Sequence, residues 1–390
     1  MILKEVKSNR LGDKYFCVEH ASGLRVFVYP KRGHSSTYAI IGTKYGSINT
    51  SFKPCGENDV MQVPDGIAHY LEHKLFESED GDAFSKYAKT GASANAYTSF
   101  DMTCYLFSCT EKFEKSLKIL LELVQSPYFT PENVEKERGI IGQEIRMYDD
   151  DPSWRVMFNL LGAMYHKHPV KVDIAGTVES IAKITPENLY KCYKNFYNPS
   201  NMVLCVAGNV DPERVFELVD ELIKPNDGKV PECIFPEEPY NVVTDRVEQH
   251  FEIAMPTFQL GFKEKAGKDP LTEEQLVQTD IILQALASKS SRLYKRLLDE
   301  SLINDSFGYE YFEGRGYAAV IFSGESKVPD KTAKIIKEAI DELHKNGVDK
   351  DDFERAKKLV YGRNVAMLNS AENIANEMMK LSFAGRELFH

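Results

Sequence analysis

The stretch Gly66-Ile67-Ala68-His69-Tyr70-Leu71-Glu72-His73-Lys74-Leu75-Phe76 reads as a helix, and its spacing organises the rest of the chain around it. Residues four apart on a helix face the same way, so His69 and His73 can present two imidazoles to one ion. Glu72 points within ~100° of both and lies close to that ion without having to bind it. Neutral imidazole is a good zinc ligand, and a neighbouring carboxylate can take a proton from water activated by the metal. A partly exposed helix with a polar stripe is the other reading of these five residues.

A catalytic zinc needs a third protein ligand and an open position. The stretch Glu137-Arg138-Gly139-Ile140-Ile141-Gly142-Gln143-Glu144 offers one. Its two glutamates are seven apart and project from one helix face, about 20° from alignment. The residues between them are largely apolar or small, so that face need not be solvent, although a charged surface stripe is the alternative. The order His-x-x-Glu-His is the inverted form of the zinc-peptidase motif.

Outward from these segments the first half alternates strand and helix patterns. Strands are predicted at 24–29, 37–42, 94–99, 102–107 and 201–208, and helices at 112–125, 130–148, 153–165 and from Thr185. Thr130-Pro131-Glu132 starts the helix that carries both glutamates, with Thr as cap and Pro in the first turn. Pro225, Pro231, Pro236 and Pro239, with Asn226-Asp227-Gly228 among them, read as a linker. The second half repeats the order: strand 258–262, helix 273–287, strands 308–312 and 318–323, helix 331–345, and a last helix capped by Asp349. Thr130 and Asp349 match at a period near 219 residues, which indicates a duplicated domain. The expected organisation is a zinc-bearing domain over 1–225, a linker over 226–240, and a homologous domain without zinc over 241–390. The fold class is α+β, each domain a mostly antiparallel sheet packed with helices.

The chain has 390 residues, which favours two domains. Lys+Arg total 48 against Asp+Glu 59, a balance that disfavours phosphate-backbone binding as the main task. No apolar run is long enough to span a membrane, and residues 1–7 lack the apolar core of a secretory signal. Seven cysteines without a Cys-x-x-Cys pair read as reduced thiols in a cytoplasmic protein rather than disulfides or a cysteine-based metal site.

Several ordered segments together resemble the pitrilysin/insulinase family of zinc peptidases, which includes the mitochondrial processing peptidases. They are His69-Tyr70-Leu71-Glu72-His73, Ala94-Asn95-Ala96-Tyr97-Thr98-Ser99, the Glu137…Glu144 pair with Asp149-Asp150-Asp151-Pro152, and Tyr197-Asn198-Pro199-Ser200-Asn201-Met202. The resemblance covers nearly the whole chain and is most specific over residues 64–210. It implies a clamshell half in which His69, His73 and Glu144 ligate one Zn²⁺, Glu72 is the general base, and Glu137 orients a histidine ligand. It also implies that Ala94, Asn95 and Ala96 lie on an edge strand to which an extended peptide adds by main-chain hydrogen bonds. The implied activity is endoproteolysis of unfolded peptides. A non-catalytic scaffold subunit of the same fold and a maturation peptidase for one ribosomal peptide are the alternatives.

The chain departs from the family pattern in four places. Full-length relatives use four homologous domains, and this chain offers two. The active enzymes use an Arg and a Tyr seven apart, after a helix like Ser291-Arg292-Leu293-Tyr294-Lys295-Arg296-Leu297; here Leu298 and Asp305 stand at those places. A homologous subunit without zinc is therefore expected to supply the pair; a homodimer, with Tyr309 or Arg315 substituting, is the other expectation. Phe76-Glu77-Ser78-Glu79 replaces the usual Phe-x-Gly-Thr, which implies a different local loop. Relatives continue with more helix after Gly385-Arg386-Glu387-Leu388-Phe389-His390, so a C-terminally incomplete second domain is expected.

Overall fold

Among the described residues, two seven-residue strands are buried at every position. They are Thr37–Thr43 and Met202–Gly208, and they pair antiparallel with Met202 opposite Thr43. Such runs are strands covered on both faces. In the computed structural model, which describes residues 3–225, 228–265 and 271–389, they form the centre of a seven-stranded sheet. Asn226, Asp227 and His390 lie outside the described residues. The strands are β1 (Leu3–Lys7), β2 (Lys14–Glu19), β3 (Arg25–Pro30), β4 (Thr37–Thr43), β5 (Ser93–Thr98), β6 (Thr103–Cys109) and β7 (Met202–Gly208). Their order is β1-β2-β3-β7-β4-β6-β5. All neighbours are antiparallel except β3 and β7.

The helices are α1 (Ile67–Leu75), α2 (Ala83–Ala88), α3 (Phe113–Leu123), α4 (Pro131–Asp149), α5 (Pro152–Met164), α6 (Val178–Ile181) and α7 (Pro186–Phe196). After them come α8 (Pro212–Leu222), α9 (Glu273–Ala287), α10 (Arg292–Asp299), α11 (Pro329–Asn346), α12 (Lys350–Met367) and α13 (Ala371–Phe383). Most of these were legible in outline. The α13 segment was not, and it changes the domain organisation.

The chain divides into two units. One comprises Met1–Ile145, Asp173–Ile234 and Met367–His390; the other comprises Arg146–Val172 and Phe235–Ala366. This differs from the contiguous division 1–225, 226–240 and 241–390, because two helices sit away from their neighbours in sequence. In the first unit, Ile374, Ala375, Met378, Met379 and Phe383 of α13 pack against Tyr38, Ile40, Cys104, Val203 and Cys205 of the large sheet. A Cβ on Gly42 would come within 2.8 Å of both Met379 Sδ and Cys104 Sγ, so the helix sits close over the glycine and a larger residue would make these side chains shift. The opposite face of this sheet meets α2 and α3 through Tyr87, Phe107 and Phe113, and α7 through the Thr43 hydroxyl, which donates to the Phe196 carbonyl at 2.6 Å.

The second unit has a three-stranded antiparallel sheet, β8 (Thr257–Lys263), β10 (Tyr317–Glu325) and β9 (Gly308–Gly314) in that order. Leu283, Leu293, Leu297, Ile335 and Ile336 from α9, α10 and α11 share a core with Phe258 and Phe322. Helix α5 packs on β8, where a Cβ on Gly261 would come within 2.7 Å of Met164 Sδ. Gly42 and Gly261, Pro131 and Lys350, and Pro152 and Ala371 are each 219 positions apart. The duplication is therefore real, and the equivalent helices α5 and α13 have been exchanged between the two sheets.

A buried clasp holds the proline-rich segment in the second unit. Glu238 accepts backbone N–H bonds from His166, Lys167 and His168 at 2.7–2.8 Å. Lys263 donates to Glu238 at 2.9 Å and to the Met164 and Pro239 carbonyls at 2.7 Å. Burial pushes the Glu238 carboxyl up, but Lys263 and the three amides outweigh it and hold the pKa at about 2. The folded value lies below the ordinary 4.5, so this stabilisation is complete above pH ~4.5 and is lost as pH falls towards 2. Glu238→Gln is expected to lower the unfolding free energy at pH 7 by about 3 kcal/mol. Urea denaturation should show that deficit shrinking steadily between pH 4.5 and 2.5.

Candidate metal centre

Helix α1 starts at a glycine for a steric reason. Gly66 has φ 87°, and a Cβ there would come within 2.3 Å of the Ala175 carbonyl oxygen. Only glycine tolerates both the left-handed backbone and that approach. Ser180 Oγ donates to the Asp65 carbonyl at 2.8 Å, so the segment around α6 fixes the entry to α1. Nearly all of α1 is buried, including His69, Glu72 and Lys74.

Helix α4 is set against it by local signals of the expected kind. Thr130 and Asn133 exchange side-chain caps: the Asn133 N–H donates to Thr130 Oγ1 at 3.2 Å, and the Thr130 N–H to Asn133 Oδ1 at 2.9 Å. The Tyr70 hydroxyl of α1 donates to the Val134 carbonyl of α4. Ile141, Gly142 and Ile145 are buried, and Glu137 and Glu144 come round on the face towards α1.

Four side chains converge there. Glu144 Oε1 lies 3.7 Å from His69 Nε2, and its Oε2 lies 3.4 Å from His73 Nε2. Ligand atoms of His69, His73 and Glu144 all lie within 4.8 Å of one another, close enough to hold one metal ion. Glu137 sits behind this set, with His73 Nδ1 donating to its Oε1 at 3.1 Å. The other Glu137 oxygen lies 3.7 Å from the ammonium of Lys74, which also bonds to Glu77.

The electrostatics suit a metal. Burial, with the neighbouring His73, drives the His69 pKa down to about 3, so its imidazole is neutral with a lone pair to give. Two imidazoles and one carboxylate are a donor set that fits zinc. Burial raises the Glu72 carboxyl to about 7, against a 2.8 Å hydrogen bond from the Thr98 hydroxyl. Burial would raise Glu137 too, but His73 and Lys74 outweigh it and keep it below its ordinary value.

Motif spacing alone does not single out Thr98, the Glu72 partner. Its signal was the pleat: Ala94, Ala96 and Thr98 share one face of β5, towards Glu72, while Tyr97 joins the core beneath α13. Asn95 alternates with Thr98, is exposed, and accepts the Ala96 N–H in its own side chain at 2.9 Å. Strand β5 is an edge of the sheet. In the second unit Leu298 is exposed, and Asp305 accepts from the Tyr294 hydroxyl at 3.4 Å. The Tyr309 hydroxyl donates to Gln284 at 2.9 Å, and the Arg315 guanidinium lies over Phe235 at 4.9 Å. Thirteen residues into α12, where Glu144 stands in α4, is Arg363, paired with Asp280 of α9.

The fold and the His-His-Glu cluster define the class of a metallopeptidase half. Residues 61–178 match the family profile described as Insulinase (Peptidase family M16), and residues 183–360 match the one described as Peptidase M16 inactive domain. A Bacillus subtilis (strain 168) protein named uncharacterized zinc protease YmfH is 42% identical over 402 residues, covering 100% of this chain and 92% of that protein. A crystal structure described as of an M16-like peptidase from Alicyclobacillus acidocaldarius superposes with a TM-score of 0.91 at 36% identity, covering 100% of this chain and 90% of that one. A protease from Helicobacter pylori shares the fold, with a TM-score of 0.81 at 24% identity over 96% of this chain and 90% of that one. The chain belongs to the M16 peptidase family, the pitrilysin/insulinase group.

The two α4 glutamates can be told apart by metal titration. Glu137→Gln is expected to weaken zinc binding by ~10–100-fold, the usual cost of losing a partner behind a ligand, and Glu144→Gln by more than that. A chelator-competition assay reads both; the reverse order would exchange their roles.

Proposed function

We propose that this M16 peptidase is a zinc-dependent endopeptidase subunit that hydrolyses unfolded peptides. The observation that carries the reading is the convergence of His69, His73 and Glu144 within 4.8 Å, with buried Glu72 on the same helix. One zinc per chain would be held by those three residues. Bound there, it supplies Lewis acidity, polarising the scissile carbonyl and lowering the pKa of water.

The other roles belong to the protein's own residues. Glu72, with its pKa near 7, accepts a proton from the attacking water and returns it to the leaving amine. The Thr98 hydroxyl holds one Glu72 oxygen and leaves the other for the proton. Glu137 fixes the His73 ring through Nδ1. Strand β5, through Ala94, Asn95 and Ala96, offers its free edge to an extended peptide, a mode that reads main chain more than side chains. Seven cysteines without a Cys-x-x-Cys pair support a reducing, cytoplasmic compartment.

Glu72→Gln separates metal from chemistry. The variant is expected to keep its zinc and to lose peptide cleavage by about 10²–10⁴-fold, the usual worth of a positioned acid–base group. Cleavage that survives the substitution, or a wild type that holds no zinc, would remove the enzyme reading.

The chain's lack of the Arg/Tyr pair, with Leu298 and Asp305 in its place, supports a requirement for a homologous subunit without zinc. Mixing the purified chain with such a homologue is expected to raise kcat/KM for peptide cleavage by at least about tenfold, a loss of roughly 1.4 kcal/mol from the barrier. Full turnover by the chain alone would favour the homodimer.

A further inference from the structure

We propose that Lys74 is a positioning residue for the metal centre, acting through Glu137 on His73. The inference rests on the zinc-site reading and adds a residue to it. Lys74 is fully buried, and its ammonium lies between two carboxylates, Glu77 on one side and Glu137 Oε2 at 3.7 Å on the other. The second Glu137 oxygen accepts the His73 Nδ1–H at 3.1 Å. Glu77, Lys74, Glu137 and His73 thus form one continuous relay, ending on an imidazole whose Nε2 faces Glu144.

Three arguments favour a role at the metal over simple packing. Burying an ammonium costs several kcal/mol unless its partners are well placed, so an apolar side chain would serve packing better. The relay also serves one ligand only: His69 Nδ1 is buried without a hydrogen-bond partner, whereas His73 Nδ1 is held. Finally, the Lys74 ammonium offsets the negative charge that Glu77 and Glu137 gather behind His73. Without Lys74, Glu137 would be drawn towards the cation as a rival ligand instead of standing behind His73.

The hairpin after α1 supports the same reading. Glu77 and Ser78 pair with Asp82 and Gly81, and this short turn sets Glu77 three residues beyond Lys74. Glu77 stands at the variable position of Phe-x-Gly-Thr, and the hairpin that holds it runs through Ser78, where that pattern has glycine.

The test is a double-mutant cycle on zinc affinity, read by chelator competition on full-length protein, with near-UV circular dichroism to verify packing. Lys74→Met is expected to weaken zinc binding by ~10–100-fold, as Glu137→Gln does, and the double variant to be within about twofold of the weaker single one. Losses that multiply, or a Lys74→Met protein with wild-type affinity, would overturn the relay. If Lys74→Met does not fold, Glu77→Gln, on a half-exposed residue, takes its place: a severalfold loss that disappears in the Glu137→Gln background supports the relay, and unchanged affinity overturns it. His69→Ala distinguishes the two levels. A wild type without zinc, or zinc retained by His69→Ala, removes the metal site and the relay with it; zinc lost in His69→Ala but unaffected by Lys74→Met removes the relay alone.

Discussion

Two imidazoles from one helical turn offer an ion only two donors, and a third can reach them only across a helix–helix contact. His69, His73 and Glu144 come together because α1 and α4 meet in one register. Gly66 lets the chain enter α1 under the Ala175 carbonyl. Tyr70 reaches the backbone of α4, and the Thr130/Asn133 cap sets where α4 begins. A shift of one residue in α4 would turn Glu137 and Glu144 by about 100° and leave both imidazoles unpaired. Packing beneath the cluster thus decides its geometry as much as the four side chains do.

Among the described residues, the second unit repeats the scaffold without a His-His-Glu cluster. Arg363 stands where Glu144 does in the first unit, and it meets Asp280 rather than an imidazole. An ion pair between a guanidinium and a carboxylate can bridge two helices much as a metal can, while leaving no open coordination position. Contacts such as those beneath Gly42 and Gly261 are kept, because they belong to the sheets and not to the site.

The convergence of these side chains was readable because its signals are local. A spacing of four on α1 and of seven on α4 fixes direction by helix geometry alone, and His69, His73, Glu137 and Glu144 converge as that geometry requires. The fold class was readable from alternation and capping. The position of α13 was not, since an amphipathic helix states only that one face is apolar and not which sheet covers it. Residues 152–164 carry the same ambiguity, so the boundary between units could not be drawn from composition at the prolines. Thr98 and Lys74 were in view as letters, but their roles depend on contacts with Glu72 and Glu137 that only the packed sheet and helices create.

The exchange of α5 and α13 has a bearing on how the protein is made. The sheet beneath the metal site is covered on one face by residues 371–383, although its strands are finished by residue 208. During translation that face stays bare while more than half as much chain again leaves the ribosome. At about 5–20 residues per second this is a wait of roughly 10–30 s with apolar strands open to solvent. The nascent protein is thus open to chaperone capture and aggregation in the interval before residues 371–383 emerge.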